Sequence, residues 1–331
     1  MPFAIGLIGA GEVATLHAGL LAADPRVRLS GVFDTAAGRA EAFARRFGCP
    51  ARPSLAALLT ESQAVYICTP NTTHVELALA ALAAGRHVFC EKPFAIRLED
   101  ARRVQEAAAR ARVTFQVGHN RRFAPVYQFL KQAIETGRLQ PRSIHARMNR
   151  GELLRPPWVW DSRLTGGFLY ETPVHMFDLM RFFFGEVRWV QVLARAHEHG
   201  EWDDFSLLLN FASGAHATMT TYGHATWHFP FERFEVFGPH AAYETFEMER
   251  IAYTTALDGP TTTLDYSQLT RNERWGYTEE DRRFVDALEG RSPAPVTPDD
   301  GLRVVQLIEA VYAGAQSGER VHLAAEAVAT P

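Results

Sequence analysis

The sequence predicts an α/β protein in which an N-terminal, doubly wound parallel sheet is followed by a C-terminal α+β domain with a large, mostly antiparallel open sheet. Three observations carry this prediction: two alternating periodicities in the first 120 residues, a glycine-rich turn after the first strand, and β-rich sequence after residue 121. A chain of 331 residues is also long enough for two domains. We expect them at 1–120 and 121–331.

In the first 120 residues, short apolar runs alternate with alanine-rich stretches of helical periodicity. Near-continuous apolar runs are typical of parallel strands that are covered on both faces, and strand–helix alternation favours right-handed crossovers. We predict strands at 3–9, 27–34, 64–70, 87–93 and 113–119. We predict helices at 12–23, 36–47, 73–84 and 98–112.

The second half begins with a predicted helix at 124–137 and continues with apolar runs separated by turn signals. Strands are predicted at 143–150, 187–195, 204–211, 216–223 and 233–238. Two further helices are predicted at 278–290 and 297–318, because both segments start with acidic residues and stop at glycine.

Composition and charge argue against several classes of partner. The formal net charge is −4 without a basic tract, so we expect neither nucleic acid nor an anionic membrane as a partner. The three cysteines lack metal-ligand spacing, which favours a reduced compartment without disulfides or metal. The apolar N-terminus lacks the positive region of a signal peptide, and no run reaches transmembrane length. We expect a cytoplasmic protein.

A glycine-rich turn lies between the first predicted strand and helix and reads Gly9-x-Gly11-x-x-Ala14. The first glycine permits a tight turn, the second lets the backbone approach a pyrophosphate, and the small third residue lets helix and strand pack. The N-terminus of the helix, with Glu12 and Val13, would face the phosphates. The pattern therefore predicts a dinucleotide-binding site.

Asp34 ends the second predicted strand, where a carboxylate can accept hydrogen bonds from the adenine-ribose hydroxyls and repel a 2′-phosphate. This favours NAD, with NADP possible because Arg39 could accommodate a 2′-phosphate. The alternatives are an Asp34 that caps the helix starting near Ala36 and an Arg39 on a solvated helix face.

The segment "CTPNTTHVEL" follows the third strand at the edge where open α/β sheets bind ligands. Thr69–Asn71 are candidate ligand contacts there. Thr72 or Thr73 could cap the next helix, and His74 is either a ligand contact, a surface histidine or a second cap.

The stretch "HVFCEKPFAI" places Glu91, Lys92 and Pro93 directly after a buried strand. Lys92 should share its sheet edge with the glycine turn, because parallel strands end at the same edge. Pro93 fixes the backbone beside it and raises the chance of a cis peptide bond. Lys92 is therefore either a solvated loop charge or a base or proton donor at the floor of a site.

One apolar helix is predicted across "GGFLYETPVHMFDLM". Glu171 and His175 are spaced i, i+4 and would share a face, with Asp178 at i+7. The rest is so apolar that the helix should be buried nearly all round. Buried charges need partners, so the three residues form either a satisfied core network or the wall of a polar site.

Taken in order, "GxGxxA…H", the aspartate after the second strand, "CTPNxxH", "EKP", "HNRRF" and "GGFLYETPVHMFDL" resemble one family. It is the glucose–fructose oxidoreductase / inositol dehydrogenase / rhizopine-catabolism (Gfo/Idh/MocA) family of NAD(P)-dependent oxidoreductases, and the resemblance covers about residues 3–240. It implies a Rossmann domain followed by an α/β domain whose open sheet pairs subunits, hence a homodimer or homotetramer. It also implies a catalytic lysine at Lys92 and a catalytic histidine at His175.

The chain departs from the family pattern in the second domain. Glu171 stands where the family usually has Asp, and Pro173 where Gly is common. The extra methylene moves the carboxylate by about 1 Å, and misplacements of that order can lower a rate about a hundredfold. Trp158-Val159 replaces the usual Trp-Arg, so one cofactor contact is either missing or supplied by Arg163.

The resemblance and the residues together predict hydride transfer between the nicotinamide and a sugar, cyclitol or related polyhydroxylated substrate. His175 would act as general base, and Lys92 would stabilise the developing alkoxide or share the proton. Glu171 and Asn120 would orient neighbouring hydroxyls, and Asp178 would orient His175.

The predicted site residues form three sets. The catalytic set is Lys92, His175 and Glu171. The cofactor set is Gly9, Gly11, Glu12, Val13, Asp34, Arg39, Thr69, Pro70, Asn71, His74, Glu91, Lys92 and Asn120. The substrate set is Lys92, Asn120, Arg122, Trp158, Glu171 and His175, and further candidate walls are Arg121, Trp160, Tyr170, Trp227 and His228.

Two other functions stay open from the sequence alone. One is a non-catalytic NAD-binding sensor or regulator on the same fold, which the substitution of Glu171 for Asp would fit. The other is a reductase of non-sugar carbonyl or ring substrates, which a site lined by aromatic side chains would favour.

Overall fold

The computed structural model describes residues 2–149, 151, 159–198, 200–226 and 231–323. Contacts divide the chain into two units, Met1–Asn120 with Tyr277–Val305 and Arg121–Gly276 with Gln306–Pro331. The segment Tyr277–Val305 thus belongs to the first unit, although the sequence analysis assigned everything after residue 120 to the second domain. The division into domains 1–120 and 121–331 stays a prediction.

A five-stranded parallel sheet forms the centre of the first unit. Its strands are β1 (Phe3–Ile8), β2 (Val27–Phe33), β3 (Ala64–Ile67), β4 (His87–Glu91) and β5 (Phe115–Gly118). They lie in the order β2-β1-β3-β4-β5, and all neighbouring pairs are parallel. All five strands therefore end at one edge of the sheet, as the sequence predicts.

Helices connect these strands. They are α1 (Glu12–Ala23), α2 (Ala37–Phe47), α3 (Leu55–Glu61), α4 (His74–Ala83) and α5 (Leu98–Ala111). The sequence analysis missed α3, because two turns of helix are too short to show a clear period. Its start is nevertheless marked by Ser54, whose side chain accepts a hydrogen bond from the Ala57 amide at 3.1 Å.

A nine-stranded sheet forms the second unit within the described residues. Its strands are β6 (Ser143–Asn149), β7 (Val187–Arg195), β8 (Asp204–Phe211), β9 (His216–Tyr222), β10 (Glu232–Gly238), β11 (Ala241–Phe246), β12 (Arg250–Thr254), β13 (Thr262–Asp265) and β14 (Val321–His322). The order is β13-β12-β11-β10-β6-β9-β8-β7-β14, antiparallel throughout except for the parallel pair β6–β9. The predicted large, mostly antiparallel sheet is confirmed, and β11–β14 are additions to it.

The two faces of the second sheet differ. Along β8, Phe205, Leu207 and Leu209 are buried whereas Ser206 and Leu208 are exposed. Alternation of this kind indicates one face on the core and one open face. Pairing of copies through this sheet stays a prediction.

The other helices of the chain are α6 (Pro125–Glu135), α7 (Ser162–Thr165), α8 (Phe168–Glu171), α9 (Val174–Phe184), α10 (Arg271–Arg274), α11 (Tyr277–Leu288) and α12 (Pro298–Ser317). In the part of the chain that the structure describes, none of the helices combines the length and apolar character that crossing a membrane requires.

Candidate functional site

The glycine turn after β1 has the geometry that the sequence predicts. Gly9 adopts φ +95°, and a Cβ there would lie 2.5 Å from the backbone oxygen of Cys68, so only glycine fits. Around a Cβ placed on Gly11, no atom of the described residues lies within 4 Å, and no side chain among them caps the first turn of α1. The amides at the start of α1 are therefore open to an anionic group, and these residues fit a dinucleotide.

Asp34 holds the end of β2 against the glycine turn. Its Oδ2 accepts the Ala10 amide at 3.0 Å and its Oδ1 accepts the Ala36 amide at 2.8 Å. The exposed Arg39 guanidinium donates to the same Oδ1 at 3.1 Å. Asp34 therefore does not cap α2, whose N-cap residue Ala36 has no side-chain cap bond. The ribose contact of Asp34 stays a prediction.

His74 connects the ends of β3 and β4. It is almost fully buried, with Nδ1 2.8 Å from the Pro93 carbonyl and Nε2 2.7 Å from the Thr69 carbonyl. Burial lowers the pKa of His74. The surface-histidine interpretation is wrong, because the imidazole joins the two turns at this edge of the sheet.

Thr73, which was predicted as one of two possible caps of α4, makes no cap bond. It occupies the N-cap position without a side-chain cap bond, and its hydroxyl donates instead to the Pro70 carbonyl at 2.8 Å. The same hydroxyl lies 2.7 Å from Thr69 Oγ1. Asn71 begins a 3₁₀ turn, Asn71–Thr73, between β3 and α4.

Lys92 follows the last residue of β4, and the Lys92–Pro93 peptide bond is cis, as the sequence analysis suggested. Glu91 is buried, and its Oε2 accepts the Lys92 amide at 3.1 Å. Its Oε1 lies 3.0 Å from Nε2 of His17. The Lys92 turn is therefore tied to a buried carboxylate.

Asn120 lies after β5 at the same edge and is buried. It begins a 3₁₀ turn, Asn120–Phe123, directly after the buried His119. Five strand ends of the first unit thus carry Gly9–Gly11, Asp34, Thr69–Asn71, Glu91–Lys92 and Asn120.

The second unit corrects one prediction. Glu171 and His175 do not share a helix, since Glu171 ends α8 and His175 is the second residue of α9. Pro173 stands between them and has no amide to donate to a helical ladder. The His175 amide instead donates to the Thr172 carbonyl at 3.2 Å. As predicted, α9 is buried nearly all round, with ten of its eleven residues buried.

Arg122 forms a buried, bidentate ion pair with Asp178, which lies on α9. Its Nε and Nη2 donate to the two carboxylate oxygens of Asp178 at 2.8 and 2.7 Å. Arg121 pairs with the buried Glu232 at 2.8 Å in the same unit. Both arginines thus have structural partners, and the substrate contact of Arg122, like the orientation of His175 by Asp178, stays a prediction.

Four of the predicted residues give no direct view of a ligand contact. Trp158, Trp227 and His228 lie outside the described residues. Arg163 is exposed and pairs with Asp161 at 2.8 and 2.7 Å. Its predicted cofactor contact stays a prediction.

Comparison with known proteins identifies the chain. Residues 3–119 match the oxidoreductase family with an NAD-binding Rossmann fold, and residues 127–244 match the GFO/IDH/MocA C-terminal domain. A 1,5-anhydro-D-fructose reductase of Ensifer adhaerens is 31% identical over 78% of this chain and 79% of its own length. The chain belongs to the GFO/IDH/MocA oxidoreductase family.

Two other known proteins resemble this chain along nearly its whole length. An inositol 2-dehydrogenase of Rhizobium meliloti (strain 1021) is 29% identical over 98% of this chain and 100% of its own. The crystal structure of UDP-N-acetylglucosamine 3-dehydrogenase from Acidithiobacillus ferrooxidans has a TM-score of 0.84 and 25% identity, covering 96% of this chain and 100% of its own.

Membership in the GFO/IDH/MocA family confirms the predicted resemblance, the fold class and the class of enzyme. The chain is an NAD-binding oxidoreductase, as the sequence analysis expected. The roles of individual residues stay predictions.

Sequence analysis missed two residues at this edge, His17 and Asp281. The family motif "GxGxxA…H" contains His17, but no role was assigned to it. Asp281 was considered only as part of the acidic start of a helix. His17 lies 3.0 Å from the Glu91 carboxylate beside Lys92, and Asp281 pairs with His17 at 2.8 Å.

Proposed function

We propose that this oxidoreductase transfers a hydride between NAD and a secondary alcohol of a sugar, a cyclitol or a related polyhydroxylated compound. The names of its relatives support the substrate class: an inositol dehydrogenase, an anhydrosugar reductase and a nucleotide-sugar dehydrogenase. One observation carries the proposal, which is the position of Lys92 on the sheet edge that also holds the glycine turn.

Lys92 lies two strands away from that turn. β3 separates β1 from β4, and neighbouring strands are spaced by about 4.8 Å, so the two features are about 10 Å apart across the edge. This is the edge where open α/β sheets bind ligands. An amine at this edge could therefore reach a substrate that is bound next to the coenzyme.

The scarcity of lysine strengthens the case. The chain has 34 lysines and arginines together, and only Lys92 and Lys131 are lysines. A guanidinium stays protonated, whereas an ammonium can lose its proton when its surroundings change. A chain that uses arginine almost everywhere keeps an amine at the position where proton chemistry is needed.

When bound, NAD supplies the hydride acceptor. The chain must then deal with the hydroxyl proton and with the negative charge that develops on the substrate oxygen. We assign the proton to the imidazole of His175, because histidine exchanges protons near neutral pH. We assign stabilisation of the charge to the ammonium of Lys92, which also can share the proton.

The remaining predicted residues have binding roles in this proposal. Glu171 and Asn120 orient substrate hydroxyls. Asp34 selects NAD through the ribose hydroxyls, with Arg39 beside it as the group that would meet a 2′-phosphate. Because Glu171 is longer by one methylene than the usual aspartate, we expect a substrate preference that differs from that of the inositol dehydrogenases.

The test is NADH formation by the purified protein on a panel of polyols, aldoses and inositols, with NAD and NADP in parallel. Lys92→Ala should lower kcat by about 10²- to 10⁴-fold, the range expected for a lost proton-transfer or charge-stabilising group. Lys92→Arg keeps the charge but not the exchangeable proton, and should recover only part of that loss.

Lys131 offers the matched control, since it is the other lysine and lies in the second unit, where it donates to the Phe182 carbonyl at 2.6 Å. Lys131→Ala should keep kcat. Turnover by Lys92→Ala within tenfold of the original would contradict the role of Lys92. Tight binding of NADH without turnover on any substrate would favour the sensor, and turnover of non-sugar carbonyls alone would favour a ring or carbonyl reductase.

A further inference from the structure

A buried cluster of charged side chains joins three elements of the first unit. His17 on α1 places Nδ1 2.8 and 3.0 Å from the carboxylate oxygens of Asp281 on α11. Its Nε2 lies 3.0 Å from Oε1 of Glu91 at the end of β4. His17 is fully buried, and the other two residues are almost so. The cluster therefore lies in the core of the unit.

The geometry favours a charged imidazole, because ionised carboxylates at both ring nitrogens accept hydrogen bonds and cannot donate them. Burial raises the pKa of Asp281, and the charge and hydrogen bond of His17 oppose that rise. Burial alone would lower the pKa of His17, but the charge and hydrogen bonds of Asp281, and then those of Glu91, outweigh it and raise the pKa well above 6.5. His17 is an imidazolium between two carboxylates.

Glu91 transmits this arrangement to Lys92. One carboxylate oxygen faces His17 and the other accepts the Lys92 amide at 3.1 Å. The ion pair with His17 and the charge of Lys92 outweigh burial and lower the pKa of Glu91. On its other side the turn is held by His74, whose Nδ1 lies 2.8 Å from the Pro93 carbonyl. The backbone of Lys92 is thus fixed from both directions.

Residues on the neighbouring strands β5 and β3 leave room for this cluster and bond to it. A Cβ at Gly118 on β5 would lie 3.1 Å from Cα of Glu91 and 3.2 Å from its carboxyl carbon, so glycine leaves the room that Glu91 fills. The Tyr66 hydroxyl on β3 donates to Asp281 at 3.2 Å. Further titratable groups near the cluster are Cys68, Cys90, Glu280 and Tyr277, whose ring packs edge-on against His17.

Glu280 brings a third carboxylate within 4.8 Å of the ligand-type atoms of His17 and Glu91, a grouping that could also surround a cation. The imidazolium explains the observed positions better. A cation would need Nε2 without its proton, whereas that nitrogen already faces a carboxylate oxygen at hydrogen-bond distance.

We propose that His17 and Asp281 are positioning residues that hold the Lys92 turn in place through Glu91. The proposal rests on the proposed role of Lys92. It also explains why α11, which follows the second unit in the sequence, belongs to the first unit. Helix α11 supplies the carboxylate that keeps His17 charged, and the charged His17 keeps Glu91 oriented toward the Lys92 amide.

The test compares His17→Gln and Asp281→Asn with the original enzyme by kcat, KM and the pH profile of kcat. His17→Gln removes the charge that orients Glu91 and should lower kcat by about ten- to a hundredfold, the size expected for a displaced reacting group. NADH affinity should change less than threefold, on the order expected for an untouched cofactor turn.

Asp281→Asn keeps the shape but removes one of the two charges that hold the imidazolium. The alkaline decline of kcat should therefore begin at lower pH than in the original enzyme. A residue that only stabilised the fold would change the melting temperature and leave this profile where it was.

Asp286 on the same helix is the matched control. Its carboxylate pairs with Arg26 at 2.7 Å and with Arg282 at 2.8 Å, and neither partner belongs to the His17 cluster. Asp286→Asn should reduce the melting temperature without moving the pH profile. Equal loss of kcat in Asp286→Asn and Asp281→Asn would overturn the proposal, as would unchanged kcat and profile in His17→Gln.

Two further outcomes separate this proposal from the function on which it rests. Full turnover by Lys92→Ala would remove the proposed function itself. Loss of turnover in Lys92→Ala with normal turnover in both His17→Gln and Asp281→Asn would overturn only the positioning role. Activity lost to a chelator and restored by a divalent cation would assign the cluster to a metal and contradict the imidazolium.

Discussion

Each unit of the molecule buries a charged cluster, and the two clusters differ in the cation they use. In the first unit His17 lies between Asp281 and Glu91. In the second unit Arg122 pairs with Asp178 in a bidentate arrangement. An imidazolium can lose its proton near physiological pH, whereas a guanidinium cannot.

This difference separates buried charges that can exchange protons, and so affect catalysis, from buried charges that only stabilise the fold. A guanidinium stays protonated in proteins, so we expect the Arg122–Asp178 pair to anchor α9 rather than to exchange protons through its arginine. The His17 cluster titrates and is one hydrogen bond from the Lys92 turn. Its state can therefore change with pH and affect the proposed catalytic residue.

Removal of one partner from the fixed pair should have the largest effect on stability. Asp178→Ala leaves the Arg122 guanidinium buried without its carboxylate, and breaking such a pair typically destabilises a protein by about 3–5 kcal/mol. All six tryptophans lie in the second unit, so tryptophan fluorescence during urea unfolding reports on it selectively. The control is Arg163→Ala at the exposed end of the Arg163–Asp161 pair, which should leave the midpoint nearly unchanged. An unchanged midpoint for Asp178→Ala would contradict the structural role of the pair.

The titratable cluster should have a smaller effect that depends on pH. Because folding raises the pKa of His17 above 6.5, its stabilisation is complete below pH 6.5 and is lost as the pH rises through the folded value. In that window the free energy of unfolding should fall by up to about 1.4 kcal/mol per pH unit. Denaturation followed by circular dichroism should show this slope in the original chain and not in His17→Gln. The same slope in both would assign it to another group.

Replacement of the whole fixed pair should have the smallest effect. Exchange of a buried ion pair for apolar side chains of similar volume is often close to neutral, because neither charge is left buried without its partner. Arg122→Met with Asp178→Leu should therefore unfold near the midpoint of the original chain, unlike Asp178→Ala. KM for the substrate provides the second readout, since a large increase would show that Arg122 also contacts the substrate.

Local signals explain what the sequence predicted well. The strand, the Gly9–Gly11 turn and α1 lie within the first 23 residues, and each residue type has a backbone reason to be there. The Lys92 turn was found in the same way, from an apolar strand followed by proline. The break between α8 and α9 is also marked locally, by Pro173. The prediction that Glu171 and His175 share a helix face failed because helical spacing was extended across this proline.

Long-range pairing explains what the sequence could not show. His17 and Asp281 are separated by 264 residues, and His17 and Glu91 by 74. Neither partner carries a local sign of the other, because their contact exists only once α11 packs on the first sheet. The short strands β11–β13 were missed for a related reason, since their register depends on neighbours rather than on a strong period of their own.

The comparison of the two units is tested most directly by the pH profile of kcat for two isosteric variants, Asp281→Asn and Glu232→Gln at the buried Arg121 pair of the second unit, measured on the same substrate with NAD. If the His17 cluster serves the Lys92 turn and the arginine pair serves the fold, the alkaline decline moves to lower pH in Asp281→Asn alone. A shift of the same size in both variants, or in neither, would contradict that division.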